Sequence, residues 1–313
     1  MPDPQLRDLK EEDLAAATEL LTAALPYDRC NVVAKEKLFG GNHRRQGYNL
    51  GAFSPAGDLL GVVSMAGRWI KLLAVHPSVQ RRGIGTKLLG EARAMAKKAG
   101  TTGKLRVGDH PGNYLSPGLD ERYEEGQAFF KARGFVEAAR VLNLRAQVTD
   151  NPIVTAERLS LQTQTAAKSG YTIRRATSVD VEPLLTMVSQ SFAPVWSHEV
   201  ALALGPSLGQ PASSPSQDLP EGPTVHVALD GDGAVVAFAA HDGNNRGLGW
   251  FGPMGTLDKH RGHGLGEALL LACLLDVFDR PDGGVIAWVG PVGFYQRASG
   301  ALPDRRFVVF EEQ

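Results

Sequence analysis

Two copies of one glycine-rich segment constrain the fold of this chain more than any other feature. Residues 80–89 read QRRGIGTKLL and residues 261–270 read RGHGLGEALL, and the two align without a gap. An internal repeat of this kind indicates that each copy belongs to a similar folding unit. We therefore expect two halves that carry the same elements in the same order.

Two further pairs of segments support the repeat. Residues 6–17 (LRDLKEEDLAAA) and 173–184 (IRRATSVDVEPL) each predict a short strand followed by an acidic residue that opens an amphipathic helix. Residues 129–135 (FFKARGF) and 294–301 (FYQRASGA) match near the end of each half. The order of the three segments is the same in both halves, which predicts a tandem arrangement.

The length of the chain fits this arrangement. Its 313 residues correspond to two domains of roughly 150 residues each. We place an N-terminal domain at 1–148, a partly ordered linker at 149–170 and a C-terminal domain at 171–313. Residues 205–223 are rich in Pro, Ser and Gly and predict a flexible loop.

Hydrophobic patterning predicts an α/β (α+β) fold in each half, with a mixed, mostly antiparallel sheet flanked by helices. In the first half we expect strands at 47–53, 60–66, 68–75, 104–108 and 136–146, and helices at 84–99 and 123–133. In the second half we expect strands at 171–176, 224–230, 234–240, 249–256, 285–289 and 305–311, and helices at 265–279 and 292–299.

Composition excludes several classes of protein. Lys and Arg total 33 and Asp and Glu 34, a net charge of −1, whereas proteins that bind nucleic acids or membrane surfaces carry a basic excess. No apolar run reaches the roughly 18 residues of a transmembrane helix, and the acidic start MPDPQLRDLKEEDL is unlike a signal peptide. Cys30 and Cys273 are too few for a disulfide framework or a structural zinc site. The composition predicts a cytoplasmic chain with no metal, no nucleic acid and no membrane partner.

Each glycine segment has the features of an anion site. The first turn of a helix presents unpartnered backbone N–H groups and the positive end of the helix dipole, and glycine lets a phosphate approach closely. Neither segment is a P-loop, because both lack Gly-x-x-x-x-Gly-Lys-Ser/Thr, and neither has the third glycine of a dinucleotide fingerprint, where Leu88 and Glu267 stand. A tight helix entry with an idle anion site is the plain alternative for each turn.

Both turns fit Gln/Arg-x-x-Gly-x-Gly, as Gln80–Gly85 and Arg261–Gly266, and LAVHPSVQRRGIGTKLL adds the preceding strand and the following helix. This resembles the acetyl-CoA pyrophosphate loop of the GNAT superfamily of N-acetyltransferases, and the resemblance covers most of both halves. It implies acetyl-CoA (CoA) as the cofactor, with strand backbone pairing with the pantetheine arm and turn amides holding the pyrophosphate. The implied cofactor-binding residues are Leu73, Ala74, Val75, Arg81, Arg82, Gly83, Ile84, Gly85 and Thr86 in the first half, and Met254, Gly255, Thr256, Gly262, His263, Gly264, Leu265, Gly266 and Glu267 in the second.

Chemistry is expected in the second half. The family often carries a tyrosine in the late helix that protonates the departing thiolate, and Tyr295 stands at that position, whereas the first half has Phe130. His241 and Asp242 follow a strand and are candidates for the general base, although HDGNN also fits a plain hairpin turn. In the first half, the insert at 109–126 predicts either a polar lip over a substrate or a surface loop.

The resemblance implies an acetyl-CoA-dependent N-acetyltransferase for a primary amine of a small molecule. The insert at 109–126, together with WFGPMG and WVGPVGFY, resembles a bacterial tandem group of which some members acetylate the amine of glucosamine or of glucosaminides, so an amino sugar is one expected acceptor. Two alternatives stay open, a non-catalytic CoA or acyl-CoA sensor or scaffold, and a protein or peptide N-acetyltransferase. Two fused units could replace the family's usual dimer, so a monomer and a homodimer both stay open.

Overall fold

The chain forms two compact units in the computed structural model, which describes residues 3–41, 46–205 and 222–313. The first unit comprises residues 1–141 with 306–313, and the second comprises residues 142–305. Most of the last strand of the chain thus belongs to the first unit, whereas the sequence places residues 171–313 together in the second domain. Of the predicted flexible loop, residues 206–221 lie outside the described residues.

The elements of the first unit follow the predicted order closely. They are β1 (Gln5–Asp8), α1 (Leu14–Ala24), α2 (Cys30–Phe39), β2 (Gly47–Phe53), β3 (Leu59–Ala66), β4 (Trp69–Val75), α3 (Ile84–Lys98), β5 (Arg106–Val107), β6 (Leu119–Asp120), α4 (Glu124–Lys131) and most of β7 (Phe135–Arg145). The apolar face of α3 packs on the sheet through Ile84, Leu88 and Ala92, which are buried in one core.

The second unit repeats this order. Its elements are the end of β7, α5 (Ala156–Lys168), β8 (Thr172–Arg175), α6 (Val181–Ser191), α7 (Pro194–Leu204), β9 (Val225–Leu229), β10 (Val235–His241), β11 (Phe251–Thr256), α8 (Leu265–Asp276), β12 (Val285–Ile286), α9 (Val292–Ser299) and the start of β13 (Leu302–Glu312). Leu265, Leu269 and Cys273 of α8 are buried at the positions of Ile84, Leu88 and Ala92. Cys273 therefore fills core volume.

Within each unit the strands are ordered in the same way. The order is β1-β2-β3-β4-β5-β13 in the first unit and β8-β9-β10-β11-β12-β7 in the second. In each unit only one of these pairs is parallel, β4 with β5 and β11 with β12, in agreement with the predicted mostly antiparallel arrangement. The predicted mixed α/β fold is confirmed.

A bidentate ion pair joins β1 to the start of α1 in the first unit and β8 to the start of α6 in the second. Arg7 donates to Asp13 at 2.8 and 2.7 Å, and Arg174 donates to Asp180 at 2.6 and 2.9 Å. Each aspartate also accepts a backbone N–H three residues before it, a capping arrangement that satisfies a helix N-terminus. These contacts hold the pKa of both carboxyls to about 2.

The segment between the predicted domains is more ordered than the sequence suggests. Thr155 caps α5 by accepting the amide of Arg158, and residues 156–168 are helical in the second unit. The helix packs on α8 through Leu159 and Ala166, which join the core of this unit. The segment is mostly polar, and its few apolar residues gave only a weak helical pattern in the sequence. Within the described ranges, none of the helices combines the length and apolar character that crossing a membrane requires.

The Arg174–Asp180 pair makes the stability of the second unit depend on pH. Asp180→Asn should lower the free energy of unfolding at pH 7 by about 1–2 kcal/mol, because the charged hydrogen bonds are lost. The folded pKa lies below the ordinary value of 3.8, so this stabilisation is full above that value and is lost as the pH falls toward 2. Urea unfolding of both chains at pH 7 and pH 3 measures the difference.

Asp232 lies exposed on a turn of the same unit, so Asp232→Asn serves as the control and should change the stability little at either pH. An equal decrease in the free energy of unfolding for Asp180→Asn at pH 7 and at pH 3 would contradict the ion-pair explanation.

Candidate acyl-transfer site

In the first unit, β4 parts from β5 after a very short pairing. The two strands pair only at Trp69 and Ile70, and Gly108 donates the last hydrogen bond, 3.0 Å long, to the Ile70 carbonyl. Beyond that point no described strand pairs with this edge of residues 71–75. Five residues at about 3.3 Å each leave roughly 16 Å of backbone open to pair with an extended ligand.

A β-bulge lies where the two strands part. Ser64 of β3 pairs with Leu72 and Met65 pairs with Ile70, so Lys71 has no residue opposite it. An extra residue of this kind bends the strand and increases its twist. The bulge therefore accounts for the divergence of β4 from β5.

The second unit has the same opening. β11 pairs with β12 only at Phe251, and two residues, Gly252 and Pro253, face the single residue Ala240 of β10. Residues 252–256 then have an open edge among the described strands. Met254, Gly255 and Thr256 lie on this edge, as Leu73, Ala74 and Val75 do in the first unit.

Each open edge leads into its glycine turn. In the first unit the Gln80 side chain donates to the Val75 carbonyl at 3.1 Å, which ties the turn to the end of β4. Gly83 caps α3 with φ +85°, a left-handed conformation that favours glycine. The first helical hydrogen bond, 3.0 Å long, runs from the Lys87 amide to Gly83. The three amides at 84–86 therefore precede the helical ladder and point out of the helix end.

The turn of the second unit is built in the same way. Arg261 stands where Gln80 stands and donates to the Thr256 carbonyl at 3.3 Å. Gly264 caps α8 with φ +75°, and Ala268 donates the first helical hydrogen bond to it at 3.1 Å. The first Gln/Arg of the motif therefore has a physical role, since it fixes the turn at the end of the strand.

The turns fit a phosphate group. A Cβ added at Gly83 or at Gly262 would meet no atom within 4 Å, so both glycines border open space beside the helix end. Gly85 packs inward instead, where a Cβ would lie 3.2 Å from the Phe129 ring. Exposed amides at the positive end of a helix, with glycine where an anion must approach, are the features that a phosphate site requires, and we call each turn a cradle.

The charges around the two cradles differ. In the first unit Arg81 and Arg82 are exposed on the turn, and Arg133 donates to the Thr86 hydroxyl at 2.6 Å. In the second unit Glu267 takes the place of Thr86. Its carboxylate brings a negative charge into the first turn of the helix, where a phosphate would bind.

Helix α5 lies over this second cradle. Arg158 donates to Glu267 at 2.6 and 2.9 Å, and Gln162 donates to the same oxygen at 3.0 Å. The Gln162 Oε1 lies 3.1 Å from the place of a Cβ on Gly264. His263 stacks near Tyr171, with ring centroids 5.2 Å apart. The second cradle is therefore more enclosed and less cationic than the first.

Tyr295 lies on α9, beside the point where β11 leaves β12. Its ring meets the Phe251 ring edge-on, with centroids 6.1 Å apart, and only 8% of the residue is exposed. The adjacent Phe294 packs against Gly266 of the turn. Burial raises the pKa of Tyr295 to about 12, so the phenol keeps its proton at neutral pH. Phe130 takes this place in the first unit and packs on Phe310.

His241 and Asp242 lie in a buried polar network. His241 Nδ1 contacts Asp242 at 2.8 Å and Nε2 contacts Asp276 at 3.3 Å, while Asp276 also meets His226 and Arg175. Burial alone would lower the pKa of His241, but the hydrogen bonds to the two carboxylates outweigh it and raise the pKa.

Asp242 also holds the loop that follows β10. Its Oδ1 accepts the amides of Gly247 and Gly249 at 2.8 and 2.9 Å. With both ring nitrogens of His241 engaged by carboxylates, a protonated ring has no lone pair for an amine proton. The general-base role of His241 and Asp242 stays a sequence prediction, and these contacts do not support it; they indicate a structural role.

Sequence reasoning missed Lys71, a buried cation at the bulge of β4. Its Nζ donates to the Lys37 carbonyl on α2 at 2.6 Å, and only 4% of the residue is exposed. The Lys37 ammonium in turn meets Glu36 at 2.6 Å and Asn113 at 3.3 Å. A lysine inside the apolar strand WIKLLAV, aligned with Gly252 of the second copy, was the signal that could have identified it.

The insert at 109–126 is mostly buried and does not form an exposed lip. Asp120 is 2% exposed and pairs with Arg122 at 2.7 Å, and Tyr123 donates to Asp28 at 2.7 Å. These contacts fold the insert against the residues before α2. The insert therefore packs on the side of the first unit where α2 lies.

A family model described as an acetyltransferase (GNAT) domain matches residues 50–137, which include β4, the first glycine turn and α4. No curated protein matches the chain.

Solved structures that cover nearly the whole chain include the following three. The first is the GCN5-related glucosamine N-acetyltransferase region of a fungal multi-domain GH3 β-N-acetylglucosaminidase (TM-score 0.74, 18% identity, 99% of this chain and 38% of that chain). The second is a tandem GNAT protein from the clavulanic acid biosynthesis pathway (TM-score 0.66, 18% identity, 99% of this chain and 98% of that chain). The third is a GCN5-related N-acetyltransferase from Sphaerobacter thermophilus (TM-score 0.63, 16% identity, 100% of this chain and 96% of that chain).

This chain therefore spans about two fifths of the fungal protein and nearly all of the other two. At these identities the likeness shows a shared fold. The matched model identifies residues 50–137 as an acetyltransferase (GNAT) domain, and over its full length the chain has the fold of the tandem GNAT protein.

Proposed function

We propose that this chain transfers an acetyl group from acetyl-CoA to a primary amine of a small molecule. The observation that carries the proposal is the parted strand in each unit, whose open edge runs directly into a phosphate cradle. An open strand edge pairs with an extended arm of amide groups, and the cradle takes a pyrophosphate. Pantetheine attached to a pyrophosphate has both parts in this order.

The residues that would hold acetyl-CoA are those of the two edges and the two turns. The arm would pair with the backbone of 73–75 or 254–256, and the pyrophosphate would meet the amides of 81–86 or 262–267. Acetyl-CoA supplies the acetyl group as a thioester. With the pyrophosphate at the turn, the far end of the arm comes to the point where the strands part, at Ile70 or Phe251.

Tyr295 is the proposed general acid of the second unit. Its ring packs against Phe251, at the end of the open edge, and the phenol is protonated at neutral pH. A hydroxyl at this place can donate a proton to sulfur as the thiolate leaves. The general base that removes the amine proton in this unit is not assigned, because the contacts of His241 and Asp242 favour a structural role.

An amino sugar is the acceptor that we propose to test first. The fungal structure with the same fold is described as a glucosamine N-acetyltransferase region, and the near-neutral charge of this chain suits a small acceptor. A CoA sensor without turnover and a peptide N-acetyltransferase are the alternatives. A small-molecule acetyltransferase should release CoA with glucosamine and not with peptide amines. A peptide N-acetyltransferase should release CoA with peptide amines, and a sensor should release it with neither.

The two cofactor sites should differ in affinity. Glu267 repels a phosphate from the second cradle and occupies Arg158, whereas the first cradle has Thr86 and two exposed arginines. We expect the first unit to bind CoA more tightly.

Glu267→Thr should strengthen CoA binding at the second turn about 3- to 10-fold, because a charge in the first helical turn is removed and Arg158 is released. The measurement is titration calorimetry in a Gly83→Val background, which disrupts the first cradle because a β-branched side chain is strained at the φ of +85°.

The mirrored exchange is the control. Thr86→Glu in a Gly264→Val background should weaken CoA binding at the first turn by a similar factor. Unchanged affinity after both exchanges would contradict the assignment of these turns as pyrophosphate sites.

Tyr295→Phe should lower the turnover of the second unit by about 10²- to 10⁴-fold with little change in acetyl-CoA affinity, because the ring is kept and only the acidic proton is lost. The Gly83→Val chain is the background, so that only the second unit turns over. Steady-state kinetics with an accepted amine gives kcat and KM separately.

Tyr48→Phe, a tyrosine of β2 in the first unit, is the matched control and should leave this turnover unchanged. Wild-type turnover in the Tyr295→Phe chain would show that the second unit does not use Tyr295 as its acid.

A further inference from the structure

The two units differ at two aligned positions near the point where the strands part. In the second unit the bulge residue is Gly252, which has no side chain, and the late helix carries Tyr295. In the first unit the late helix carries Phe130, which cannot transfer a proton, and the bulge residue is Lys71. Lys71 in the first unit and Tyr295 in the second are therefore candidates for proton transfer near the end of the open edge.

The geometry points to Lys71 as the proton-transfer residue of a second acetyl-transfer centre, located in the first unit. This inference rests on the proposed function, because it requires the arm of acetyl-CoA to follow the open edge of β4. The edge opens at Lys71 and ends at Val75, next to the cradle. A cofactor held by the cradle therefore brings its reactive end to the bulge.

The surroundings of Lys71 suit proton transfer. Its Nζ is held by the Lys37 carbonyl at 2.6 Å. A neutral amine can donate this hydrogen bond and still offer its lone pair to a second partner. The backbone contact therefore holds the Nζ in place.

Charged groups on the neighbouring elements set the protonation of this lysine. Burial, followed by the charge of Lys37, lowers the pKa of Lys71 to about 7, and the Glu36 carboxylate opposes this shift. On the β5 side, Arg106 and Asp109 form an ion pair with each other at 2.6 Å. A substantial neutral fraction is therefore present near pH 7, where a general base works best.

Lys71 in its neutral form takes a proton from the acceptor nitrogen as that nitrogen bonds to the carbonyl carbon. The same proton passes to sulfur as the carbon–sulfur bond breaks. The sum converts an amine and acetyl-CoA into an amide and CoA with its thiol, and no other reactant is needed.

The kinetic test isolates the first unit with a Gly264→Val chain. Lys71→Met in this background should lower kcat at least 100-fold at pH 7.5 with acetyl-CoA KM nearly unchanged, and the parent should show an ascending pH limb near pH 7. Lys97→Met, an exposed lysine of α3, is the control and should keep the parent rate. The amine is glucosamine, or the best acceptor of the unaltered chain if glucosamine is not used.

A second readout does not depend on turnover. In a chain labelled with ¹³C-lysine, the Cε resonance that Lys71→Met removes should titrate near pH 7. Adding CoA should shift this resonance in the Gly264→Val chain and leave it unshifted in the Gly83→Val chain. A lysine with only a structural role would not respond to CoA in one background alone.

The outcomes separate the two proposals. A titration midpoint above pH 9, no response to bound CoA, or full turnover of Lys71→Met would overturn the role of Lys71 and leave the acyl-transfer function intact. Failure of the unaltered chain to bind CoA or to release it with any amine would overturn the proposed function and this inference with it. A folded but inactive Lys71→Arg chain supports the inference, because arginine keeps the charge and cannot act as a base.

Discussion

The proposed site in each unit depends on a pair of parallel strands that pair for one or two residues and then separate. A β-sheet normally satisfies each backbone N–H and C=O through its neighbours. Where β4 leaves β5 and β11 leaves β12, these groups stay available along one edge. The bulge before each opening causes the divergence, and the glycine turn after it places helix amides at the far end. Together they form an elongated polar surface that matches an arm with a pyrophosphate.

The two copies keep this scaffold and differ in the side chains placed on it. The contact from Gln80 or Arg261 to the strand end and the left-handed Gly83 or Gly264 cap occur in both. The residues that would act on a ligand differ, with Lys71 and Thr86 in one unit and Gly252 and Glu267 in the other. Duplication fixes the backbone geometry, and a few substitutions then give each unit its own charge and its own proton-transfer group.

The sequence predicted the fold well because its signals are local. Alternating apolar strands, the acidic residue that caps each first helix and the glycine before each long helix specify elements without distant contacts. It could not place residues whose role depends on tertiary contacts. His241 looked available for base chemistry, yet Asp276, far along the chain, engages its second nitrogen. Lys71 looked like an ordinary strand residue, and only the register of β3 with β4 puts it at the bulge.

The cradle assignment at Gly83 and Gly264 supports every other functional statement, so its most direct test is a crystal structure of the chain grown with CoA. We expect pyrophosphate density against the amides of residues 81–86, with the arm along the open edge of β4. We expect weaker density at residues 262–267, because Glu267 disfavours the anion there. CoA bound away from both turns, or an arm that does not follow either open edge, would show that the turns are not the pyrophosphate sites.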